Sequence, residues 1–548
     1  MKSYLVGMLR MMSAWALVLG LACSAMAQEE KPIAVISINK MDELMSDIGS
    51  LTELAGQADQ GRLVLGMAGI YTNGVDRTKP AGAVVSMGPA GPKVLAFVPV
   101  KNLKSLLATY REQIGTPKDA GDGVLEIGAD RPTPIYVKEQ GGYAFISQDA
   151  RNLSGLPQDP VKLLGGLPEK YDIAVQFNIA NIPAELRDLF VSQMKMGYDQ
   201  AMRQQQQQLP PEQREVADQL GKAMVQGVQE FVEQAEQITL GFAIDGKTKN
   251  TSLEVTLTAR EGTDLSKQFA AAYDLKSMFG GIGSKDAAAT GNVTLALAKT
   301  DVAQLLGLVT VARDGALSEL AKDTGVPESK RDGLKKAVNG VFDVVQGTIE
   351  KGKMDFAGAA NLGADFEVVF GSFVGDGKKL ESIVKELVGL GKGERGFPEV
   401  QLDVGQYKGV TFHKIEIPSS DLDENARKVF GGDRAEVVLG FGADRALVAV
   451  GKDGQAALKG VIDRGAGAGM STPLQVQLAV GKIVEFVNKV DSNPQTQALA
   501  SSAAKVSGRD QVTISMKPID RGFSYRYEVS AGVLELAGEA ARAAQGGR

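Results

Sequence analysis

Apolar residues recur along this chain with two alternating periods. Runs of period two mark strands, and stripes of period near four mark helices. Leu253-Glu254-Val255-Thr256-Leu257-Thr258 is the plainest strand, with one face suited to burial and the other to water. Leu186, Phe190, Met194, Tyr198 and Met202 return every fourth residue and lay an apolar stripe on a helix spanning 184–203. Val216, Leu220, Met224, Val228, Phe231 and Ala235 do the same over 212–237. Between them lie five glutamines and Leu209-Pro210-Pro211. The prolines stop one helix and can open the next, so a helical hairpin is expected.

The order strand, long helix, strand, strand, helix is read four times. The first unit has strands at 33–38, 83–87 and 93–99, helices at 41–57 and 103–110, and tail strands at 124–127, 135–138 and 143–147. The second has strands at 173–179, 238–244 and 252–258, with the two hairpin helices and a third at 265–273. The third has strands at 293–298, 354–359 and 365–370, helices at 302–320, 335–351 and 379–390, and tail strands at 410–417, 435–440 and 446–450. The fourth has strands at 474–480, 511–516 and 523–529, with helices at 482–505 and 533–544.

Units one and three correspond, tail strands included, and units two and four correspond likewise. Two local echoes accompany this order. Val175-Gln176-Phe177-Asn178-Ile179 is similar to Val476-Gln477-Leu478-Ala479-Val480, and 143–147 is similar to 446–450. Self-similarity of this kind predicts a duplicated architecture. The expected fold is α+β: two tandem halves, each an antiparallel sheet with long helices packed on one face. The halves run over 28–279 and 292–548. Between them, Gly280-Gly281-Ile282-Gly283 through Gly291 reads as a Gly-rich linker over 280–291.

The N-terminus changes the picture. Lys2 and Arg10 precede an uncharged apolar stretch, and Ala25-Met26-Ala27 supplies small residues at a cleavage site. That is the plan of a signal peptide over 1–27, so export to the periplasm or the cell exterior is expected. Gly20-Leu21-Ala22-Cys23 loosely resembles a lipoprotein acylation site, but its leucine stands one place too near the cysteine. Removing 27 of the 548 residues leaves 521, without cysteine or tryptophan and with one histidine, His413. Stability must then come from packing, since no disulfide can form. The net charge of −6 becomes −8 once the two leader cations are lost, which argues against a nucleic-acid partner. No second apolar run is long enough to span a membrane after signal cleavage.

Candidate chemistry is sparse. His413 lies in a strand with no second histidine or cysteine to make a nucleophile pair, and reads as a structural or surface residue. Zinc leans on Cys and His, and no such cluster is present. Asp421-Leu422-Asp423 begins like a calcium loop, but Ala426 and Gly432 stand where the turn glycine and bidentate glutamate belong. That stretch reads instead as the polar start of a helix over 424–430, capped by Ser420 or Asp421. The glycines of 391–396 follow a helix, the wrong context for a dinucleotide loop. Ser192/Lys195 and Ser502/Lys505 lack the companion motifs of serine–lysine enzymes.

No catalytic residue, cofactor or metal is assigned. In signal, composition and repeated order the chain resembles exported bacterial proteins of unknown function, and that resemblance carries no site residues. The expected function is a non-enzymatic exported protein that binds another protein or an envelope component. The alternative is a carrier of an apolar ligand such as a lipid, with Phe190, Met194, Tyr198 and Met202 lining an apolar groove.

Overall fold

The structure is a computed structural model. It describes residues 31–546 apart from 89–90, 129–132, 207–210, 272–275, 284–285, 364–365, 395, 419, 421, 431–433 and 466–471. The signal-peptide reading of residues 1–27, Cys23 included, lies outside the described residues. The chain is mixed α+β, with a large antiparallel sheet whose strands follow an order of their own in each unit. No described helix is long and apolar enough to cross a membrane.

Two compact units divide the chain. The first contains residues 1–208, 224–266 and 521–538, and the second contains 209–223, 267–520 and 539–548. In the first unit the strands are β1 (Pro32–Ile38), β2 (Ala81–Gly88), β3 (Gly91–Pro99), β4 (Lys118–Asp119), β5 (Val124–Ile127), β6 (Ile135–Gln140), β7 (Tyr143–Ser147), β8 (Ile173–Phe177), β9 (Ala235–Ile244) and β10 (Thr251–Ala259). The second unit has β11 (Ala289–Ala296), β12 (Lys353–Asn361), β13 (Glu367–Phe373), β14 (Glu399–Tyr407), β15 (Val410–Pro418), β16 (Arg434–Phe441), β17 (Arg445–Gly451), β18 (Leu474–Ala479) and β19 (Gln511–Ile519). The chain's last strand, β20 (Gly522–Val529), returns to pair with β10 in the first unit.

The first unit's part of the sheet runs β20-β10-β9-β8-β1-β2-β3-β7-β6-β5-β4. Successive side chains of a strand point to opposite faces. On one face Val35, Phe97, Phe145 and Ala174 are buried under Leu153, Leu156, Leu164 and Leu167 from the segment after β7. On the other, the helix Leu103–Thr109 covers the β5–β7 end, where Leu103 packs with Val137, Ala144 and Ile127.

The second unit's part runs β19-β18-β11-β12-β13-β17-β16-β15-β14. Its larger core joins Phe373, Phe412, Val438, Leu447 and Ala449 to Leu458 and Val461 of the helix Gly454–Arg464. On the opposite face the helix Gly377–Gly391 packs against the helix Glu328–Glu350 through Ile383, Ala337 and Val344.

The Gly-rich stretch expected to be a linker is built into this second core. Phe279 and Ile282 are buried in it, and Ala289–Ala296 is strand β11. Asp355 of β12 pins the approach, accepting from Ser277 Oγ and the Met278 N–H, both at 2.7 Å, and from Thr294 Oγ1 at 3.1 Å. Composition signalled flexibility, but two buried apolar side chains and one buried carboxylate override it. The helix Glu424–Phe430 is capped by Asp423, whose Oδ1 accepts from the Ala426 N–H at 2.7 Å, where Ser420 or Asp421 was expected. Asp421 lies outside the described residues.

Candidate functional site

Residues opposite one another in an antiparallel pair share a sheet face. Three rows therefore cross β1, β8, β9, β10 and β20. The first is Ile38, Ile173, Phe242, Leu253 and Tyr527. Beside it run Ile36, Val175, Leu240, Val255 and Tyr525, then Ala34, Phe177, Ile238, Leu257 and Phe523. All fifteen are apolar or aromatic. Four strand spacings by two row spacings make a patch of about 19 by 14 Å.

This is the face that the helix Leu103–Thr109 covers farther along. The row of Ile36 continues through Ala83, Ala96 and Ile146 to Val137 beneath that helix. At the β8–β20 end the patch is open: Ile173 is 39% exposed, Leu240 40%, Leu253 47%, Tyr525 43% and Tyr527 44%. The reverse face of β9, β10 and β20 is polar. Thr239 and Ser252 are buried there, Glu254 accepts from Ser524 Oγ at 2.8 Å, and Arg526 pairs with Glu254 and Glu528. The usual arrangement, apolar inward and polar outward, is thus inverted at these strands.

The stripe residues expected to line a groove lie on the helix Ala184–Gln206. Phe190, Met194 and Tyr198 are half-buried and Met202 is buried, so the stripe is the helix's covered side. On the helix Pro211–Gln234, Met224 is exposed, and the side chains of Val216 and Leu220 lie outside the described residues.

A second arrangement, in the second unit, surrounds His413. It is fully buried on β15, opposite Leu439 of β16. The helix Gly377–Gly391, capped by Asp376, lies over it and carries Lys378, Glu381 and Lys385. That spacing of three and four places all three on one helix face. Glu381 Oε2 meets Lys378 Nζ at 2.8 Å, and its Oε1 meets Lys385 Nζ at 2.9 Å. Lys385 also reaches Asp403 Oδ1 of β14 at 2.8 Å.

His413 Nδ1 accepts the Asp403 N–H at 3.0 Å. The neutral ring therefore carries its proton on Nε2, which faces Glu381 Oε1 at 3.5 Å. Burial pushes the His413 value below the ordinary one, against the upward pull of Asp403 and Glu381. Burial pushes Glu381 up, and Lys378 and Lys385 more than reverse it. The Lys385 hydrogen bond holds Asp403 low.

Glu381, Asp403 and His413 offer atoms within 4.8 Å of one another, the spacing of a metal cradle. The donor set does not fit a metal. Nδ1 is committed to a backbone N–H, Nε2 bears the ring proton, and both carboxylates are neutralised by lysines. The Lys385 ammonium stands where a cation would sit.

Sequence reading found His413 but none of its partners. It assigned no strand to 399–407, and so no neighbour for the ring. The signal that could have found them is the Lys378, Glu381, Lys385 spacing on an otherwise apolar helix face. Ser192 and Lys195 are both exposed on their helix, with no base beside them among the hydrogen bonds described. No family model, no curated protein and no solved structure matches this chain.

Proposed function

We propose that the protein is exported, non-enzymatic, and binds another protein or a component of the cell envelope through the open apolar face of β8, β9, β10 and β20. One observation carries this reading: two adjacent apolar rows with five members 39–47% exposed. Contiguous apolar surface of a few hundred Å² on a soluble protein marks a binding site more often than chance exposure. Its openness favours a partner surface over a small molecule, because small-ligand sites enclose most of their ligand. Replacing Leu253 and Tyr525 by lysine should abolish partner binding and leave the thermal midpoint within a few degrees. Unaltered binding would rule this face out.

A carrier of an apolar ligand such as a lipid is the second reading. What favours it is the stripe of Phe190, Met194, Tyr198 and Met202, whose two methionines suit a variable tail.

We also propose that the two units descend from one duplicated ancestor. Supporting this, β9-β8-β1-β2-β3-β7-β6-β5-β4 and β19-β18-β11-β12-β13-β17-β16-β15-β14 are the same order with ten added to each number. Val175 and Val476 fall on corresponding strands. The match of 143–147 with 446–450 has to slide by one residue, since the core side chains are Tyr143 and Phe145 in β7 and Leu447 and Ala449 in β17. A crystal structure in which the two nine-strand orders were joined by crossovers of opposite hand would refute common descent.

A further inference from the structure

Strand β14 ends its sheet order and pairs only with β15 among the described strands. Gln401 pairs with Lys414 and Gly405 with Phe412, so Leu402, Asp403 and Val404 together oppose the single residue His413. This is a bulge. Asp403 sits in it with φ +55°, a left-handed conformation that aspartate tolerates better than most residues. Its N–H is directed at His413 Nδ1, 3.0 Å away. Nδ1 keeps the lone pair for that bond only while the ring is neutral. Asp403 Oδ1 waits 4.0 Å from the same nitrogen and is held at 2.8 Å by Lys385.

We propose that His413 is a proton-operated latch on the β14 bulge: the neutral ring holds the Asp403 N–H, and a proton taken from solvent onto Nδ1 ejects it and draws the Asp403 carboxylate across from Lys385. No other bond is made or broken. After the transfer the imidazolium donates from Nδ1 to Asp403 and faces Glu381 with Nε2.

Among the described residues, the charged groups at the ring come from one helix and one strand. Glu381, Lys378 and Lys385 face it from the helix Gly377–Gly391, and Asp403 faces it from β14. β16 contributes Leu439 and the Phe441 ring at 5.7 Å, neither of which titrates near neutrality. Lys414, next on β15, is engaged with Glu416 at 2.6 Å. Lys385 keeps Glu381 when it loses Asp403. Its side chain is 34% exposed, so water can solvate what remains of its charge.

His413 is the sole histidine of the chain, so a full-length protein labelled with ¹³C and ¹⁵N in histidine gives a single imidazole signal that needs no assignment. The expected results are the Nε2–H tautomer at pH 8 and a titration midpoint below about 6.5. Hydrogen exchange of the segment 399–407, corrected for intrinsic rates, should accelerate about tenfold per pH unit below 6.5 until the closed ring titrates. His413→Gln should flatten that dependence. Asp403→Asn keeps the backbone N–H but removes the receiving carboxylate, and should move the ring's midpoint further down. An Nδ1–H tautomer at pH 8, a ring that titrates without any change in exchange over 399–407, or equal pH dependence in His413→Gln would each overturn the latch.

Discussion

At the scale of single residues, the His413 environment shows how much a lone titratable side chain depends on strands around it. A lone histidine in the strand Phe412-His413-Lys414-Ile415 reads as structural or surface. That it is buried, and accepts rather than donates at Nδ1, follows from a bulge the sequence does not advertise. Leu402-Asp403-Val404 has neither the glycine nor the proline that marks an irregular strand.

Two predictions belong here. The folded-state value of His413 lies below that of the unfolded chain, so the native state binds fewer protons. Its contribution to stability is complete above about pH 6.5 and is lost as pH falls from there through the lowered value. Glu381 and Asp403, both held low, add further losses near pH 4 and below. Denaturation midpoints measured between pH 7 and 5 should fall more steeply in the wild type than in His413→Gln, and parallel slopes would refute this. Lys385→Ala leaves the largely buried Glu381 with Lys378 alone. It should cost about 1–2 kcal/mol in urea unfolding, less than for a fully buried pair because Lys385 is partly solvated.

At the scale of elements, the period-two runs located nearly every strand. Val124–Ile127 and Tyr143–Ser147 are found to the residue, and most others to within two or three. The failures have separate physical causes. The helix expected over 41–57 is found as Met41–Leu54 and stops before Gly56, whose φ is +68°, but the helix that follows it, Ala58–Tyr71, was not expected. The expected helix over 482–505 breaks at Pro494, with Asn493 as cap accepting from Gln495 and Thr496. Apolar periodicity continues across the break at Pro494 and conceals it. β14 escaped although Glu399-Val400-Gln401-Leu402-Asp403-Val404 alternates in period two, and the bulge at 402–404 lies inside that run without breaking it.

The cap supplies a direct check. Asn493→Ala should cost about 1 kcal/mol and show as early loss of helicity in thermal melts. The supposed linker supplies another. Asp355→Ala leaves Ser277, Thr294 and the Met278 N–H without their buried acceptor, and should cost about 2–4 kcal/mol. A flexible linker would have no use for that carboxylate, so an unchanged urea midpoint would restore the linker reading.

At the scale of the whole molecule, pattern gave the mixed α+β class of fold, but the boundary it drew differs from the division into two compact units. Residues 521–538 belong with the first unit, because β20 completes the sheet of β10. No local period reveals a strand that returns after more than 250 residues, and only pairing decides it. The apolar face was half visible. Leu253, Val255 and Leu257 were read as the side to be buried, which holds for their chemistry. That the face remains open depends on which strands lie beside them and on what covers it, and neither is written in one strand.

The open face is also the claim on which the functional account stands. The most direct measurement is native mass spectrometry of the protein purified without detergent from the cells that make it, with the wild type and the Leu253→Lys, Tyr525→Lys double variant side by side. The account predicts an additional bound mass on the wild type, a protein partner or an envelope component, that is absent from an equally stable variant. A wild type that carries no bound mass, or a variant that keeps the same one, would contradict it.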